Sequence, residues 1–388
     1  MTRSVLMFCP QFRPIVGGAE RQAEKLSKAL AQKGVRVTVL TPRFVAETPA
    51  YEEDAGVAIC RFPLFDLRKR FPQVRGLGPL NLLLIRAQVI GAMNRHLQGV
   101  DVVHTHIASP MTAFAMQAAR RRQVPVLCKV AMAGIKTDLG ELAAIGFGGR
   151  QLGSAMIRNM DRWVATTQAV ADSLAEWRVP PARIACIPNG VDLPALNSHS
   201  RKSGAARRFL YLGRLSANAQ RDVPTLIRAF GRLAAQSPEV ELALVGDGDR
   251  YQETADLVSQ CCHRDRIQMP GLQDPKPWLR WADCFVLPSR YEGLSNALLE
   301  AMAHGLPCIA NDIPPNREVL ADGTAGVLVP VGDEGQLFEA ILRMAYDAAH
   351  ADAMRAAALG RVRSHYGIEF VATRYVALYE DLIRNAVK

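Results

Sequence analysis

Short apolar runs alternate with longer helical patterns along almost the whole chain, and this alternation constrains the fold more than any other feature. Val5–Cys9, for example, precedes the helical pattern Ala19–Gln32, and Phe209–Leu212 precedes Val223–Ala235. Apolar, β-branched runs that alternate with helices predict parallel sheets with helices on both faces. We therefore predict an α/β protein built from doubly wound parallel sheets.

The same pattern locates the individual elements. In the first half it predicts strands at Val5–Cys9, Val35–Leu40, Val57–Phe62, Val102–Thr105, Pro125–Val130, Trp163–Thr166 and Ile184–Ile187. It predicts helices there at Ala19–Gln32, Leu80–Leu97, Met111–Arg121, Gly149–Asn159 and Ala169–Trp177. In the second half the predicted strands are Phe209–Leu212, Glu241–Val245, Ile267–Met269, Cys284–Leu287, Cys308–Ala310 and Val327–Val329. The predicted helices are Val223–Ala235, Tyr251–Cys261, Asn296–His304 and Glu334–Ala345.

A linker is predicted between the two halves. Pro188–Pro194 interrupts the pattern, and a Ser-rich, basic stretch continues to Arg208. Because 388 residues exceed one ordinary core, we predict an N-terminal domain over 1–190 and a C-terminal domain over 205–367. The last segment, 368–388, has an amphipathic pattern and is predicted to be a helix. The sequence allows this helix to cross back to the first domain or to cap the second.

The positive charge of the chain lies in its first half. Of the net +10, residues 1–190 contribute 25 Lys and Arg against 13 Asp and Glu, and the remainder has 22 against 24. This asymmetry predicts that the first half contacts an anionic partner.

The cysteines and the apolar segments indicate a cytosolic chain. The eight cysteines include no CxxC pair, so neither a disulfide framework nor a zinc site is predicted, and Cys261-Cys262-His263 is interpreted as a helix end. This cysteine usage fits a reducing cytosol. Pro10 stops the first apolar run too early for a signal peptide. The longest apolar stretch, Leu80–Met93, contains polar residues and is not predicted to span a bilayer.

Two glutamates flank a predicted helix start in the second half. Glu292 lies in the loop after the strand Cys284–Leu287, and Glu300 lies inside the following helix. Ser295 is a candidate N-cap, and the amides of Asn296–Leu298 then form an anion site. A sugar nucleotide, with its diphosphate between two polyols, fits such an arrangement. The alternative is a solvated helix with two surface glutamates.

The run Ser289–Ala303 resembles the signature of retaining glycosyltransferases with the GT-B fold, in particular family 4. That fold consists of two Rossmann-like doubly wound parallel-sheet domains that face each other across a cleft. The resemblance implies that Glu292 faces the donor sugar and that Glu300 binds the ribose hydroxyls. It also implies nucleotide contacts from the residues between the two glutamates, which include Gly293, Leu294, Ser295 and Asn296.

Two further runs resemble phosphate-binding parts of the same family. Gly17 and Gly18 follow the first strand and resemble the glycine-rich loop beside the donor diphosphate. Arg214 stands where the family has an arginine, and Arg221 stands where we expect a lysine, in a loop about two residues longer. The resemblance implies that both arginines hold the leaving diphosphate, since a guanidinium binds phosphate through two parallel hydrogen bonds.

The nucleotide base is expected at Met269, Gly271 and Leu272, which resemble the place where the family holds the base with backbone groups. A nearby pair, Gly246 and Gly248, lacks the third glycine of a dinucleotide fingerprint.

The acceptor side is expected at Thr105 and His106, which end a strand. A histidine in this position is more often a structural residue than a catalyst. Many family members carry a histidine after the strand that matches Pro125–Val130, and this chain has none there. Lys129 or the backbone of 131–134 is predicted to replace its contacts. A second departure is Asp312–Arg317, where glycines are usual before the glutamate, here Glu318.

A basic amphipathic region lies in the first half. Its cations are Arg68, Lys69, Arg70, Arg75, Arg86, Arg95, Arg120, Arg121 and Arg122. It indicates either contact with an anionic membrane surface or lipid-linked acceptor, or a solvated face. Nucleic acid is not predicted as a partner, because no aromatic side chains are interleaved with the cations for base stacking.

The resemblance implies an enzyme that moves a hexose from a nucleotide-diphosphate sugar, with UDP or GDP expected, to a hydroxyl of a saccharide or lipid-linked acceptor with retention. We expect this enzyme in the cytoplasm, either free or bound peripherally to the inner face of the membrane. No cofactor and no metal are predicted, because no DxD-type pair lies in a suitable loop. Three alternatives remain open. These are a sugar-nucleotide epimerase, a non-catalytic sugar-nucleotide-binding protein and an NAD-dependent dehydrogenase, for which the glycine fingerprint is incomplete.

Overall fold

The chain folds into two compact units in a computed structural model, which describes residues 3–15, 17–74, 76–133, 137–194, 204–216 and 220–386. Unit 1 consists of the described parts of Met1–Gly190 and Ile368–Lys388, and unit 2 of those of Val191–Gly367. Val16, Arg75 and most of the predicted linker lie outside the described residues.

Unit 1 contains an eight-stranded sheet with the order β3-β4-β2-β1-β5-β6-β7-β8. Its strands are β1 Ser4–Phe8, β2 Arg36–Arg43, β3 Tyr51–Asp54, β4 Val57–Pro63, β5 Val102–His106, β6 Val126–Val130, β7 Arg162–Ala165 and β8 Ile184–Cys186. All neighbours are parallel except β3, which pairs with β4 in the antiparallel direction. We did not predict β3, because its acidic sequence has no apolar alternation.

The helices of unit 1 cover both faces of this sheet. They are α1 Gly18–Gln32, α2 Leu67–Arg70, α3 Gly78–His96, α4 Pro110–Arg121, α5 Asp138–Ala144, α6 Gly149–Asn159, α7 Gln168–Glu176 and the C-terminal helix α15 Ile368–Ala386. On one face, α15 packs with α1 over β1 and β5 through buried side chains that include Tyr375 and Tyr379. The other face carries the larger apolar core, which includes Phe114 and Trp163.

Unit 2 contains a six-stranded, entirely parallel sheet with the order β11-β10-β9-β12-β13-β14. Its strands are β9 Arg208–Leu212, β10 Glu241–Val245, β11 Ile267–Gly271, β12 Cys284–Leu287, β13 Cys308–Asn311 and β14 Val327–Val329. The strand order reverses between β9 and β12. In doubly wound sheets such a switch point leaves a crevice at the carboxyl ends of the strands, where ligands bind.

The helices of unit 2 are α8 Val223–Gln236, α9 Tyr251–Ser259, α10 Pro275–Trp281, α11 Asn296–Ala303, α12 Pro314–Val319, α13 Glu334–Tyr346 and α14 Ala348–His365. We did not predict α10, α12 or α14. The first two are short helices that begin at prolines, which are tolerated in the first turn. The third is rich in alanine, so it has no marked apolar stripe.

These two sheets, each with helices on both faces, confirm the α/β prediction. Among the described residues, all eight cysteines are free thiols. No helix in the described part of the chain combines the length and the apolar character needed to cross a membrane.

Candidate functional site

The loops that follow β9 and β12 meet at the switch point of unit 2. The backbones of Arg221 and Ser289 form an isolated antiparallel bridge. The Asp222 amide donates to the Pro288 carbonyl at 2.6 Å, and the Arg290 amide donates to the Gln220 carbonyl at 2.8 Å. Residues 217–219 of the first loop, which belong to the longer loop noted above, lie outside the described residues.

A buried ionic cluster joins these two loops. The Arg221 guanidinium forms an ion pair with Glu292, and its Nη1 also donates to Ser289 Oγ at 2.7 Å. Ser289 Oγ donates in turn to Glu292 Oε1 at 3.1 Å. Gln220 Nε2 donates to Glu292 Oε2 at 3.2 Å. Both oxygens of Glu292 are therefore held in fixed directions, and Glu292 itself is only 6% exposed.

The cluster keeps its arginine charged. Burial alone would lower the pKa of Arg221, but the Glu292 carboxylate and the Tyr211 phenol raise this pKa above its ordinary value. Burial, opposed by Arg221 and reinforced by Glu292, raises the pKa of Tyr211 to about 12. Tyr211 is thus a neutral hydroxyl at working pH, and it donates to the Arg214 carbonyl at 3.1 Å.

The second glutamate lies on α11, which begins where the loop after β12 ends. Ser295 is its N-cap and accepts from the Leu298 amide at 3.4 Å. This cap uses one of the three amides predicted to bind an anion, so the expected anion site at Asn296–Leu298 is smaller by one donor. Glu300 lies in the second turn of α11 and is half-buried.

The other predicted nucleotide contacts of unit 2 differ in exposure. Gly293 and Leu294 are buried ahead of the cap, whereas Asn296 is half-buried at the helix start. Arg214 is exposed in the loop after β9, so its guanidinium lies at the surface of the same edge of the sheet that buries Arg221.

The loops after β9, β10 and β11 are linked by main-chain hydrogen bonds. The Gly213 amide donates to the Val245 carbonyl at 3.1 Å, and the Gly246 amide donates to the Gly271 carbonyl at 2.9 Å. Gly246 has φ +148°, and a Cβ there would lie 1.9 Å from the Gly213 carbonyl oxygen. This close approach requires glycine.

The residues expected at the nucleotide base lie at the end of β11. The Met269 carbonyl accepts from the Tyr251 hydroxyl at 2.7 Å, and the Gly271 carbonyl accepts from Gly246. The Leu272 side chain is 67% exposed. Of these three residues, Leu272 therefore presents the side chain that a ligand reaches most easily.

In unit 1, Gly17 and Gly18 follow β1 and start α1. Gly17 is the N-cap, with an extended backbone, and a Cβ there would lie 2.3 Å from a carboxylate oxygen of Glu20. The glycine therefore makes room for an acidic side chain at the helix N-terminus. A phosphate bound at this end of α1 would meet that negative charge, so the predicted diphosphate contact here stays a prediction.

His106 and Lys129 are register partners on β5 and β6, and each is only 4% exposed. His106 stacks on His104, with ring centroids 4.6 Å apart, and His104 Nδ1 pairs with the Tyr379 hydroxyl of α15 at 2.7 Å. The Lys129 ammonium lies 6.0 Å from the centre of the Tyr375 ring. These contacts support packing inside unit 1, and acceptor binding by either residue stays a prediction.

Burial disfavours positive charge throughout this cluster. Desolvation lowers the pKa of Lys129 to about 7. Burial, together with the charge of Lys129, lowers the pKa of His106 to about 3, and the same causes, with His106 included, hold the pKa of His104 well below its usual value.

The loop that lacks the usual family histidine is held by Asp138. Its Oδ2 accepts from the amides of Ala131 and Met132 at 2.9 and 3.0 Å. Burial raises the pKa of Asp138, although these two amides oppose the rise. Residues 134–136 lie outside the described part of the chain, so whether backbone groups over 131–134 replace the histidine stays a prediction.

Ser289, Gln220 and Tyr211 belong to the unit 2 cluster but are not among the predicted site residues. Ser289 could have been found, since it begins the glutamate run and follows a strand directly. Gln220 and Tyr211 carry no such signal, because their roles depend on the pairing of two loops far apart in the sequence.

Two family models match the chain. The model described as "Glycosyltransferase Family 4" matches residues 16–194, and the model described as "Glycosyl transferases group 1" matches residues 206–347.

Curated relatives match over nearly their whole length. Phosphatidyl-myo-inositol mannosyltransferase of Mycobacterium leprae is 26% identical, over 98% of this chain and 98% of the relative. GDP-mannose-dependent alpha-mannosyltransferase of Mycobacterium tuberculosis is 28% identical, over 92% of each chain.

Solved structures share the fold. Sucrose-phosphate synthase from Thermosynechococcus elongatus gives a TM-score of 0.77 at 21% identity, over 99% of this chain and 100% of that one. Anabaena HepE in complex with UDP gives 0.75 at 16% identity, over 98% and 100%. The chain belongs to glycosyltransferase family 4 and is a glycosyltransferase with the GT-B fold.

Proposed function

We propose that the enzyme transfers a hexose from a nucleoside diphosphate sugar to a hydroxyl acceptor with retention at the anomeric carbon. The observation that carries this proposal is the buried Glu292 carboxylate, whose two oxygens are fixed by Arg221, Ser289 and Gln220 at the switch point of unit 2. An oriented carboxylate there can hold sugar hydroxyls and stabilise the positive charge that develops on the ring.

In this reaction the bond between the anomeric carbon and the β-phosphate oxygen breaks, and its electron pair leaves with the nucleoside diphosphate. The acceptor oxygen forms the new bond, and its proton passes to the departing phosphate. The growing negative charge needs positive partners. Exposed Arg214 and the N-terminal end of α11 supply them, so the proposal requires no metal ion. Glu300 would bind the ribose hydroxyls, and Leu272 would cover the base.

The relatives suggest the donor and the acceptor. The names of the two mannosyltransferases specify a phosphatidyl-inositol acceptor for one and GDP-mannose for the other, and HepE was solved with UDP. We extend these chemistries to this chain as a GDP- or UDP-hexose donor and a saccharide or lipid-linked acceptor used in polysaccharide, lipopolysaccharide or glycolipid assembly. The relatives do not favour an epimerase or a non-catalytic binding protein.

Contact with an anionic membrane surface is the second part of the proposal. Phe71 and Phe147 of unit 1 are 45% and 61% exposed. Arg70 lies over the Phe71 ring at 5.9 Å, in the basic helix α2. Gly148, next to Phe147, lies against Leu82 of α3. Apolar side chains beside cations favour the interface of anionic lipids, and such an interface would hold the enzyme peripherally at a cytoplasmic membrane.

The transfer is tested with a panel of GDP-, UDP-, ADP- and dTDP-sugars. Thermal shift should identify the donor, because a ligand that binds the folded state raises the melting temperature. NMR of the product should then show the anomeric configuration of the donor, and EDTA should leave the rate within about twofold. Inversion would contradict the proposed stereochemistry, and loss of activity in EDTA would contradict metal independence. Epimerised donor in the absence of acceptor would favour the epimerase.

The membrane contact is tested by co-sedimentation with phosphatidylglycerol vesicles at low and high salt. Replacing Phe71 and Phe147 with serine should weaken binding to these vesicles, and so should high salt. The matched control is Phe370→Ser, which removes a 46% exposed phenylalanine from α15. Equal binding of wild type and the Phe71/Phe147 variant to phosphatidylglycerol vesicles would contradict the proposal, and so would equal binding of wild type to phosphatidylglycerol and to neutral phosphatidylcholine vesicles.

A further inference from the structure

Arg221 is occupied by Glu292 rather than presented to a ligand. Its side chain is 14% exposed and that of Glu292 is 7% exposed, whereas Arg214 in the same loop is exposed. A charge that is buried to this degree needs a partner, because removing one member of such a pair leaves the other charge buried and uncompensated. If the Arg221 side chain turned toward a phosphate, the buried Glu292 carboxylate would lose its cation.

The backbone around Arg221 restricts its side chain further. The bridge to Ser289 and the main-chain bond between Asp222 and Pro288 fix the backbone of Arg221 against the loop after β12. Asp222 also forms an ion pair with Arg290 at 2.9 Å. Behind the guanidinium, a Cβ on Gly213 would lie only 3.5 Å from Arg221 Nε and 2.7 Å from the Tyr211 hydroxyl, so this side of the pocket is closed.

The carboxylate keeps capacity for a substrate. An ionised carboxylate offers about four lone-pair directions. Arg221 and Ser289 approach Oε1, and Gln220 approaches Oε2. The hydrogen bonds around Glu292 therefore orient it without saturating Oε2.

We infer that Arg221 is a positioning residue that pairs with the Glu292 carboxylate and orients it toward the donor sugar, and that Arg214 rather than Arg221 is the arginine that contacts the diphosphate. This inference rests on the proposed function, because it assumes that Glu292 acts on the donor sugar. It changes the role that the family resemblance implies for the lysine position.

The test separates phosphate binding from turnover. Kd is measured by calorimetry for GDP and GMP, and for UDP and UMP, in wild type, Arg221→Met and Arg214→Met. Arg214→Met should weaken the diphosphate about tenfold or more and change the monophosphate much less. Arg221→Met should leave the diphosphate Kd within about threefold and lower kcat at least a hundredfold. Arg221→Lys, which keeps a cation beside Glu292, should restore at least a tenth of the wild-type kcat.

The inference is overturned if Arg221→Met weakens GDP or UDP tenfold more than the matching monophosphate, or if Arg221→Lys is as inactive as Arg221→Met. Should Arg221→Met fail to fold, the double variant Arg221→Met/Glu292→Met removes both charges together, which is far less costly than removing one. Its diphosphate Kd should equal that of wild type, and a tenfold loss would again overturn the inference. Full activity of Glu292→Gln would instead contradict the proposed function itself.

Discussion

The two units both bury polar residues near the carboxyl ends of parallel strands, but the charge of these residues differs between the units. In unit 2, the crevice between β9 and β12 holds a buried ion pair, in which the partners keep Arg221 charged. In unit 1, the polar residues on β5 and β6 lie beneath α15, and burial lowers the pKa of Lys129 to about 7 and that of His106 to about 3.

Position at the end of a parallel strand therefore does not by itself determine whether a buried polar side chain is charged. Both clusters are buried, so burial does not distinguish them. The unit 2 cluster has a carboxylate opposite its cation and an exposed arginine nearby. The described contacts of Lys129 are instead with an aromatic ring, so its charge is destabilised. We therefore expect the charges of Arg221 and Glu292 to support the reaction in unit 2. We expect the charge of Lys129 to lower the stability of unit 1.

The largest effect is expected for Glu292→Gln. The substitution keeps the shape of the side chain and removes its charge, so kcat should fall about a hundredfold or more, as when one preorganised electrostatic group is lost. The GDP or UDP Kd should change by less than about threefold. Glu334→Gln is the control, because it removes a carboxylate from an exposed ion pair with Arg228 in the same unit and should leave kcat within twofold. Equal kcat values for the two variants would show that the buried Glu292 carboxylate contributes no more to turnover than an exposed one.

Lys129→Met should stabilise unit 1 by about 2–4 kcal/mol at pH 7, because it removes the desolvation penalty of a buried ammonium. The ordinary pKa is 10.5 and the folded value is about 7. Between these values the unfolded chain binds the extra proton, so the stability of the wild type should rise with pH from 7 to 10.5.

Amide hydrogen exchange of β5 and β6 at several pH values measures this effect. The slope of stability against pH in that window should be smaller in Lys129→Met and unchanged in the control Lys69→Met, which removes an exposed lysine of unit 1. An unchanged slope in Lys129→Met would mean that the lysine is charged in the folded state, as the arginine is in unit 2.

Gly246→Ala tests the backbone that supports the unit 2 site. A Cβ would lie 1.9 Å from the Gly213 carbonyl oxygen, so the loops after β9 and β10 must separate, and we expect a loss of about 2–3 kcal/mol. Gly231→Ala is the matched control, because the space around that residue of α8 is open and alanine favours a helix by about 1 kcal/mol. Urea denaturation of both variants measures the difference, and similar stabilities would contradict the close approach.

The smallest effect is expected within α15. Tyr379→Phe removes the hydroxyl that pairs with buried His104 at 2.7 Å and should cost about 1–2 kcal/mol. Tyr375→Phe removes a buried hydroxyl that has no hydrogen-bond partner among the described residues, so it should be neutral or stabilising. Thermal denaturation compares the two, and the reverse order would contradict the hydrogen-bonding pattern of the unit 1 cluster.

Strongly patterned elements could be predicted to within a few residues. Glu241–Val245 and Cys284–Leu287 have the predicted bounds, because buried parallel strands carry continuous apolar runs. The strand β3 and the helices α10, α12 and α14 could not be predicted, since their acidic, proline-led or alanine-rich sequences carry no apolar period.

The residues of the candidate site could be proposed from the sequence, but their pairing could not. Arg221 and Glu292 come from loops 71 positions apart, and their ion pair depends on the adjacency of β9 and β12. In the same way, Tyr379 meets His104 across 275 positions. Burial of His106 and Lys129 follows from this docking of α15, which no local pattern specifies.

A crystal structure with bound GDP or UDP would locate the diphosphate and the ribose within unit 2. We expect the diphosphate at the N-terminal end of α11, with the exposed Arg214 guanidinium within hydrogen-bonding distance and the ribose hydroxyls on Glu300. A nucleotide bound away from this end of the unit 2 sheet, or a ribose that does not contact Glu300, would contradict this expectation.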